Sequence, residues 1–359
     1  MRKSRLSFFF FTLWAGIAFK AGGPPSLYIF PDLKFFPPMP MRESDPVTNE
    51  GVTLGRYLFY DDILSSDRSM SCATCHRQKA AFSDAPQRFS KGRNDELMQR
   101  NTMPLFNLSW YPGFFWDGKA ATLEEQIFFP VRAHNEMNLR WKDAVQRVES
   151  SEFYKSEFKQ AFGNRKIDSI LVSNAIGQFL RTLLSYRSKY DRVLIGESRF
   201  TKDELDGYIL MNDQTKGDCL HCHSTDADAL GTMRFYSNNG LDSVSDKKNY
   251  KDPGRGGITG LSRDYGKFKI PSLRNLLFTA PYMHDGRFNT IEEVIDFYSE
   301  GIRPTVNIDS RMEFAHRGGA KLSSDEKNKI VAFLKTLTDS LFVADKEFSN
   351  PFKNKIDLD

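Results

Sequence analysis

Apolar residues recur at helical spacing in several parts of this 359-residue chain, and strand-like alternation is scarce. The clearest case is 167–184, where Leu171, Ala175 and Leu183 fall on overlapping faces of one predicted helix. A second apolar run, 330–337, predicts a closing helix near the C-terminus. These patterns together predict a mainly α fold.

Several helix starts carry a capping box, in which Ser or Thr is followed three positions later by Glu, so that two backbone N–H groups find partners. Such pairs begin at Thr122, Thr201, Thr290 and Ser323. The stretch 237–269 is instead rich in Gly, Asp, Asn and Ser, and we expect a long ordered loop there. Loops of that length are often functional.

The N-terminus has the layout of a secretory signal. A basic start, Arg2-Lys3-Ser4-Arg5, precedes a mostly apolar stretch over 6–19 that is too short to cross a bilayer comfortably. We expect residues 1–20 to be a signal peptide, with an uncleaved anchor as the alternative. Either arrangement places the folded part outside the cytoplasm, in the periplasm.

Composition narrows the functional classes. Hydrophobic residues make up 40% of the chain and charged residues 27%, as in soluble globular proteins. The formal net charge is +4 and falls to +1 without the three basic residues of the leader. Such a balance lacks the basic stripe of a nucleic-acid-binding protein, so no nucleic-acid partner is expected.

All four cysteines lie in two Cys-x-x-Cys-His runs, Cys72–His76 and Cys219–His223. Two thiols at this spacing can bond the two vinyl groups of one porphyrin, while the adjacent imidazole reaches the iron. A Cys₄ zinc site is a weaker alternative, because the two cysteine pairs lie 144 positions apart. A disulfide framework is also weaker, because a chain of this length can bury a core without cross-links. The expected cofactors are two covalent haems c. Their attachment residues are Cys72, Cys75 and His76 for the first, and Cys219, Cys222 and His223 for the second.

Longer motifs around these runs resemble the bacterial di-haem cytochrome c peroxidases and the related MauG-type enzymes. The similarity covers roughly residues 50–340. It implies two cytochrome-c-like haem domains with long ordered loops, an N-terminal peroxidatic domain over 21–196 and a C-terminal electron-transfer domain over 197–340. The tail, 341–359, is expected to pack back on the first domain. The motifs are Ser71–His76 with Ala81–Asp84, Phe115–Lys119 with Leu123–Gln126, Phe268–Asn275, and Thr279–Gly286.

The resemblance also implies the catalytic residues. His76 and His223 correspond to the proximal ligands of the two irons, and the first haem is where peroxide reacts. Splitting an O–O bond requires a proton to move from the near to the far oxygen, and a carboxyl in a partly apolar pocket has a raised pKa suited to this work. Glu136 is the expected acid–base group, Gln126 the expected peroxide-holding group, and Pro130 shapes the pocket.

Two further sites follow from the same resemblance. Trp116 corresponds to an indole that relays electrons between the haems. Asn101, with the backbone oxygens of Thr279 and Pro281, matches positions that hold one calcium ion, a cation that prefers a shell of oxygen ligands. His284 is expected to support a ligand or bind a propionate.

Two departures from the usual peroxidase pattern bear on the mechanism. The loop 89–102 contains no histidine, so we expect the first iron to be open without reductive activation. Tyr298 stands eight residues after Thr290, where peroxidases place a methionine ligand, and this favours His–Tyr ligation of the second iron as in MauG. Met283, Met312 and Met233 are the competing ligands.

Three functions are consistent with these features. The first is reduction of hydrogen peroxide with electrons from a small c-type cytochrome or a cupredoxin. The second is a MauG-like, peroxide-dependent oxidation of a protein or small organic substrate. The third is a non-catalytic electron carrier. The sequence leaves the oligomeric state open, with a homodimer among the options.

Overall fold

The computed structural model describes residues 23–40, 45–223 and 236–352; the expected signal peptide and Met233 lie outside these ranges. Most regular structure is helical, which confirms the mainly α fold. None of the helices in these three ranges is both long and apolar enough to cross a membrane. The α-helices are α1 (Asn49–Tyr60), α2 (Cys72–Cys75), α3 (Leu123–Arg132), α4 (Trp141–Ser150), α5 (Glu152–Phe162), α6 (Ser169–Thr182), α7 (Lys189–Leu194), α8 (Lys202–Asn212), α9 (Gly256–Thr259), α10 (Ile291–Asp296), α11 (Ser324–Thr336) and α12 (Ser340–Ala344).

Shorter elements complete the regular structure. Strands β1 (Tyr236–Ser237) and β2 (Phe268–Lys269) pair antiparallel, and a π-helical turn, Phe297–Gly301, directly continues α10. Single 3₁₀ turns occupy Asp62–Leu64, Gln78–Ala80, Arg93–Asp95, Leu108–Trp110, Cys219–His221, Lys247–Asn249, Ser262–Asp264, Leu276–Phe278, Glu313–Arg317 and Lys346–Phe348.

The helices enclose the two largest hydrophobic cores of the described residues. The first is built largely from α1 to α6, and the second from α7, α8, α10 and α11. Tyr190 is buried in the second core and Leu194 packs against it, so the change from one core to the other falls before α7. The boundary placed at 196 from the sequence lies just after this helix.

Each core is organised around two helices that cross at a glycine. On α1, a Cβ at Gly55 would lie 1.8 Å from the carbonyl oxygen of Ala175 on α6. On α8, a Cβ at Gly207 would lie 2.0 Å from the carbonyl oxygen of Lys329 on α11. Since no side chain fits at either point, glycine sets the close approach of both helix pairs.

The two ends of the described chain wrap around this body. In the N-terminal arm, the ring of Phe36 packs on Trp110, whose indole N–H donates to the carbonyl of Pro37 at 3.1 Å. At the C-terminal end, Phe342 and Phe348 are buried in the first core. The Tyr60 hydroxyl also donates to the Phe348 carbonyl at 2.6 Å. The segment after α11 therefore lies against the first domain.

Candidate functional site

The first Cys-x-x-Cys-His run forms a short helix with a defined exit. Ser71 caps α2 through a capping box with Thr74, and Cys72 and Cys75 stand at the two ends of the helix. His76 follows directly, and its Nδ1 donates to the backbone carbonyl of Phe82 at 2.7 Å. Because a carbonyl can only accept, the proton is on Nδ1, and Nε2 is left with a free lone pair for a metal.

The second run repeats this arrangement. Cys219 opens a 3₁₀ turn after Asp218, and Nδ1 of His223 donates to the backbone carbonyl of Pro271 at 2.9 Å. None of the four cysteines is paired in a disulfide, so the disulfide alternative is wrong. Within the described chain, the cysteines also do not take part in any group of three side chains close enough to bind one metal ion. The structure therefore gives no support to the Cys₄ zinc alternative.

A cavity of about 1820 Å³ opens beside the first run. Its volume exceeds the 300–1,000 Å³ of ordinary small-molecule pockets and suits a macrocycle with an access path. The structure brings the sequence-predicted residues of the first site together around this one space. Its lining includes Cys72, Cys75, His76, Trp116, Gln126, Pro130 and Glu136.

Glu136 lies just beyond the end of α3, whose residues Gln126 and Pro130 line the same cavity. Burial raises the pKa of the Glu136 carboxyl, and the nearby Lys119 ammonium partly opposes this shift. A carboxyl with a raised pKa can both accept and return a proton near neutral pH. The arrangement therefore combines a proton carrier with an amide hydrogen-bonding group.

Trp116 is fixed at the junction of the two domains by backbone groups. Its indole N–H donates to the carbonyl of Asn101 at 2.8 Å, and its own carbonyl accepts from the Lys269 N–H at 2.7 Å. Next to it, Arg100 bonds to both Asp117 and Asp252, joining the loop before the indole to the long loop of the second domain. The indole ring of Trp116 is almost fully buried.

Tyr298 lies in the π-helical turn after α10. Such turns often occur at functional sites. Burial raises the pKa of its hydroxyl to about 12, the nearby thiols of Cys222 and Cys219 contribute to the rise, and the Asn239 amide donates to the oxygen at 2.9 Å. Its competitors Met283 and Met312 pack in the same small apolar cluster. All three candidates are thus held in one region of the second domain.

Comparisons with known proteins agree with this geometry. The model of the family described as "Di-haem cytochrome c peroxidase" matches residues 49–199. The methylamine utilization protein MauG of Methylorubrum extorquens is 36% identical over 83% of this chain and 81% of its own length. The cytochrome c551 peroxidase of Nitrosomonas europaea is 33% identical over 84% of each chain.

The chain belongs to the di-haem cytochrome c peroxidase and MauG family. The crystal structure of a MauG-like protein associated with microbial copper homeostasis superposes with a TM-score of 0.81, at 33% identity, over 89% of this chain and 98% of that one. The diheme peroxidase BthA of Burkholderia thailandensis shares the fold, with a TM-score of 0.73 at 21% identity. Membership of this di-haem cytochrome c peroxidase family implies an oxidoreductase with two haems c.

The residues present fit the cofactors of a di-haem peroxidase. Both histidines that follow the cysteine pairs have Nδ1 occupied by a backbone carbonyl, which fixes the tautomer that an axial ligand needs. Burial raises the pKa of the Cys72 and Cys219 thiols to about 12.

The three residues predicted to hold calcium lie on two separate loops of the chain. The Asn101 N–H donates to the carbonyl of His284 at 2.8 Å, and its side-chain amide donates to the carbonyls of Gln87 and Arg88. Pro281 is joined to Ala280 by a cis peptide bond, and Thr279 precedes Ala280. The calcium site at these three residues stays a prediction.

His284 and Lys269 are two further buried groups at the domain junction of this di-haem peroxidase. The imidazole of His284 stacks on Phe268 with 3.6 Å between ring centroids. Lys269 is 3% exposed, and burial lowers its pKa to about 7. Its ammonium donates to the carbonyl of Gly113 at 3.3 Å and lies over the Tyr111 ring. Sequence analysis missed Lys269, although it stands inside the Phe268–Asn275 motif.

Proposed function

We propose that this protein reduces hydrogen peroxide to water at its first haem site, in the periplasm. The observation that carries the proposal is the shared cavity, in which Gln126, Pro130 and Glu136 lie on the walls beside Cys72 and His76. A non-catalytic electron carrier has no use for an acid and an amide beside its haem.

A haem attached to Cys72 and Cys75, with His76 as the iron ligand, would supply the redox chemistry for cleaving the O–O bond. The side-chain amide of Gln126 holds the peroxide by hydrogen bonds. Glu136 takes the proton from the near oxygen and gives it to the far oxygen, which leaves as water. Overall, one peroxide consumes two protons and two electrons and yields two waters.

Electrons enter at the second domain and pass Trp116 on their way to the first. The indole is suited to this because its position is fixed by backbone groups of both domains, Asn101 and Lys269. The donor is a small c-type cytochrome or a cupredoxin. A calcium ion held by Asn101, Thr279 and Pro281 completes the proposed junction between the domains. A homodimer is one of the oligomeric states compatible with this proposal.

Tyr298 and the loop 89–102 favour a second candidate function, a MauG-like oxidation of a protein or small organic substrate with peroxide. Relatives with both kinds of name exist, including the MauG proteins of two methylotrophs and several cytochrome c peroxidases. A phenolate is a hard anionic ligand that favours ferric iron, in contrast to the thioether of methionine, which raises a haem potential.

One experiment separates the two functions. The exported holoprotein is mixed with peroxide and a reduced c-type cytochrome, and then with peroxide and a reduced cupredoxin. Steady oxidation of either donor, lost when His76 is replaced by Gly but retained when the surface residue His134 is replaced by Gly, supports the peroxidase. Peroxide consumption without donor oxidation contradicts it and favours the MauG-like reaction.

The ligand of the second iron is tested separately in Tyr298→Phe. We expect the ferric absorption and electron spin resonance spectra of one haem to change, because the oxygen ligand is lost. A weak near-infrared band typical of Met–iron ligation, present in both wild type and Tyr298→Phe, would assign Met283 or Met312 instead.

A further inference from the structure

Three side chains that can bind a metal ion lie together beside the second cysteine run. They are Asp218, His221 and Glu313. One ligand atom of each, an imidazole nitrogen or a carboxylate oxygen, lies within 4.8 Å of the ligand atoms of the other two. None of the three lines the cavity of the first haem site. They therefore form a separate constellation, which the proposed reaction does not use.

Two of the three side chains belong to one short turn. Asp218 precedes the 3₁₀ turn Cys219–His221, and its Oδ2 lies 3.1 Å from Nδ1 of His221. Ligand atoms about 2.1 Å from a tetrahedral zinc ion stand about 3.4 Å from each other. The carboxylate and the imidazole are therefore already spaced like neighbouring ligands of one ion.

Glu313 contributes the third group from a distant part of the chain. It begins the 3₁₀ turn Glu313–Arg317 and directly follows Met312, which packs in the same apolar cluster as Tyr298. The residue is exposed, and its carboxylate has no hydrogen-bond or ion-pair partner among the described residues. Because this side chain is free to rotate, it can close the remaining gap to the other two ligands.

The Asp218 carboxylate is the observation that points to a bound cation. Its side chain is only 8% exposed, yet its one hydrogen-bond partner in the described chain is His221, which belongs to the group itself. Burial raises the pKa of the Asp218 carboxyl, the bond to His221 opposes this shift, and the charges of Glu313 and Asp213 add to it. Burying a carboxylate among like charges costs free energy. A divalent ion would supply the missing positive charge.

The donor set indicates the class of ion. Calcium and magnesium prefer shells of oxygen ligands alone, whereas an imidazole combined with carboxylates suits zinc and similar divalent transition ions. Three protein ligands around zinc leave one tetrahedral position for water. Haem attachment uses the thiols of Cys219 and Cys222, so these two groups do not compete for the ion.

We propose that Asp218, His221 and Glu313 form a binding site for one zinc ion. The ion ties the turn that carries the second cysteine run to the segment that carries Met312, so that two segments beside the second haem site are held together. This inference goes beyond the proposed function and does not depend on which reaction the first haem site performs.

The test measures zinc binding to the untagged holoprotein by isothermal titration calorimetry, after a chelator has removed loosely bound metal. We expect one zinc ion per wild-type chain. His221→Thr copies the first run, which has Thr74 at this place, so the haem attachment pattern is kept. Glu313→Gln changes an exposed side chain on the other segment. Each variant should bind zinc about 100-fold more weakly, because even the loss of a group that only supports a ligand costs 10- to 100-fold.

His134→Ala is the matched control. This imidazole is also exposed and faces a carboxylate, Glu96, at 3.7 Å, but the pair belongs to no group of three ligands in the described chain. Its removal should leave the zinc affinity unchanged.

Amide hydrogen exchange tests whether the ion joins the two segments. Zinc should slow exchange over 312–317 in the wild type and not in Glu313→Gln, whereas magnesium at the same concentration should have no effect. Unchanged exchange in zinc-loaded wild type would contradict the tie between the segments.

Mass spectrometry establishes that each variant carries two haems, and Glu313→Gln decides alone if His221→Thr does not load its second haem. The proposal is overturned if the fully loaded variants bind zinc within threefold of the wild type, which would make the binding adventitious. It is equally overturned if the wild type binds zinc more weakly than about 1 mM.

Discussion

Replacing Glu136 by Gln removes the proton-carrying group from the first pocket and preserves its shape. The carboxyl is partly buried in a cavity of about 1820 Å³, and burial raises its pKa. General acid–base groups typically contribute 10²- to 10⁴-fold to a rate, or about 3 to 5 kcal/mol of barrier. Because water can enter a cavity of this size and carry protons, we expect a loss near the lower end, about 10²-fold.

The pH dependence provides a second, independent signature. Glu136 must be ionised to accept the peroxide proton, so wild-type turnover should rise as the pH increases through a pKa above the ordinary 4.5 of a glutamate. Glu136→Gln should lack this acidic limb. The raised pKa also means that any stability contributed by this carboxyl is present at low pH and lost as the pH rises through the folded-state pKa. At pH 7 the variant should therefore be no less stable than wild type.

Stopped-flow measurement of peroxide consumption by the fully loaded protein is the direct assay. Glu125→Gln is the matched control, because Glu125 is exposed, lines the same cavity and bonds through its carboxylate to the Ala121 N–H. It should keep its turnover within about twofold, since exposed polar contacts of this kind are worth under 1 kcal/mol. Turnover of Glu136→Gln within threefold of wild type, at equal haem content, would refute the acid–base role.

Three further substitutions test other parts of the structure. Trp116→Phe should slow donor-supported turnover about tenfold, equal to 1.4 kcal/mol of barrier, and leave cyanide affinity unchanged; equal turnover would remove the indole from the electron path. Gly207→Ala should lower the free energy of unfolding by about 1–3 kcal/mol in denaturant titrations, because its Cβ meets a backbone carbonyl, whereas Leu205→Ala on the exposed face should not. Arg274→Met should cost about 3–5 kcal/mol, because it leaves the Asp191 carboxylate buried without the guanidinium that bonds to it at 2.6 Å, and a loss under 1 kcal/mol would contradict this.

The features that the sequence predicts well are those encoded in side chains at fixed spacing. The two haem runs, the mainly α fold and the capped helix starts belong to this class. The predicted boxes at Thr201, Thr290 and Ser323 form completely. At Thr122 the cap also forms, but Glu125 reaches the Ala121 N–H instead of the N–H of the cap. Local hydrogen bonding is thus predictable to about one residue.

Features that depend on backbone atoms leave no such trace. The partners of the two haem-binding imidazoles are the carbonyls of Phe82 and Pro271, and any residue could supply them. The π-helical turn around Tyr298 is also invisible in composition, because it depends on where later carbonyls and N–H groups find partners. The burial of Lys269 could not be predicted from the sequence either, because lysine side chains are normally exposed.

An internal repeat, in contrast, is visible in the sequence at a spacing of 168 positions. Asp117-Gly118-Lys119 recurs as Asp285-Gly286-Arg287, and Thr122-Leu123-Glu124-Glu125 recurs as Thr290-Ile291-Glu292-Glu293. The conserved positions are turn and cap residues, which fix the backbone. Gln126 and Pro130, which line the cavity, are replaced at this spacing by Val294 and Tyr298. A search for repeated motifs therefore identifies the shared scaffold, and the functional residues are found where the two copies disagree.

This division explains how one scaffold can support two unlike haem sites. Trp116 is held by main-chain groups of two other residues: its indole N–H donates to the Asn101 carbonyl, and its own carbonyl accepts from the Lys269 N–H. Neither bond depends on the side chains of Asn101 and Lys269. Side chains at equivalent positions were therefore free to diverge without moving the junction. The two domains therefore share main-chain bonds at their junction and differ in the side chains at equivalent positions.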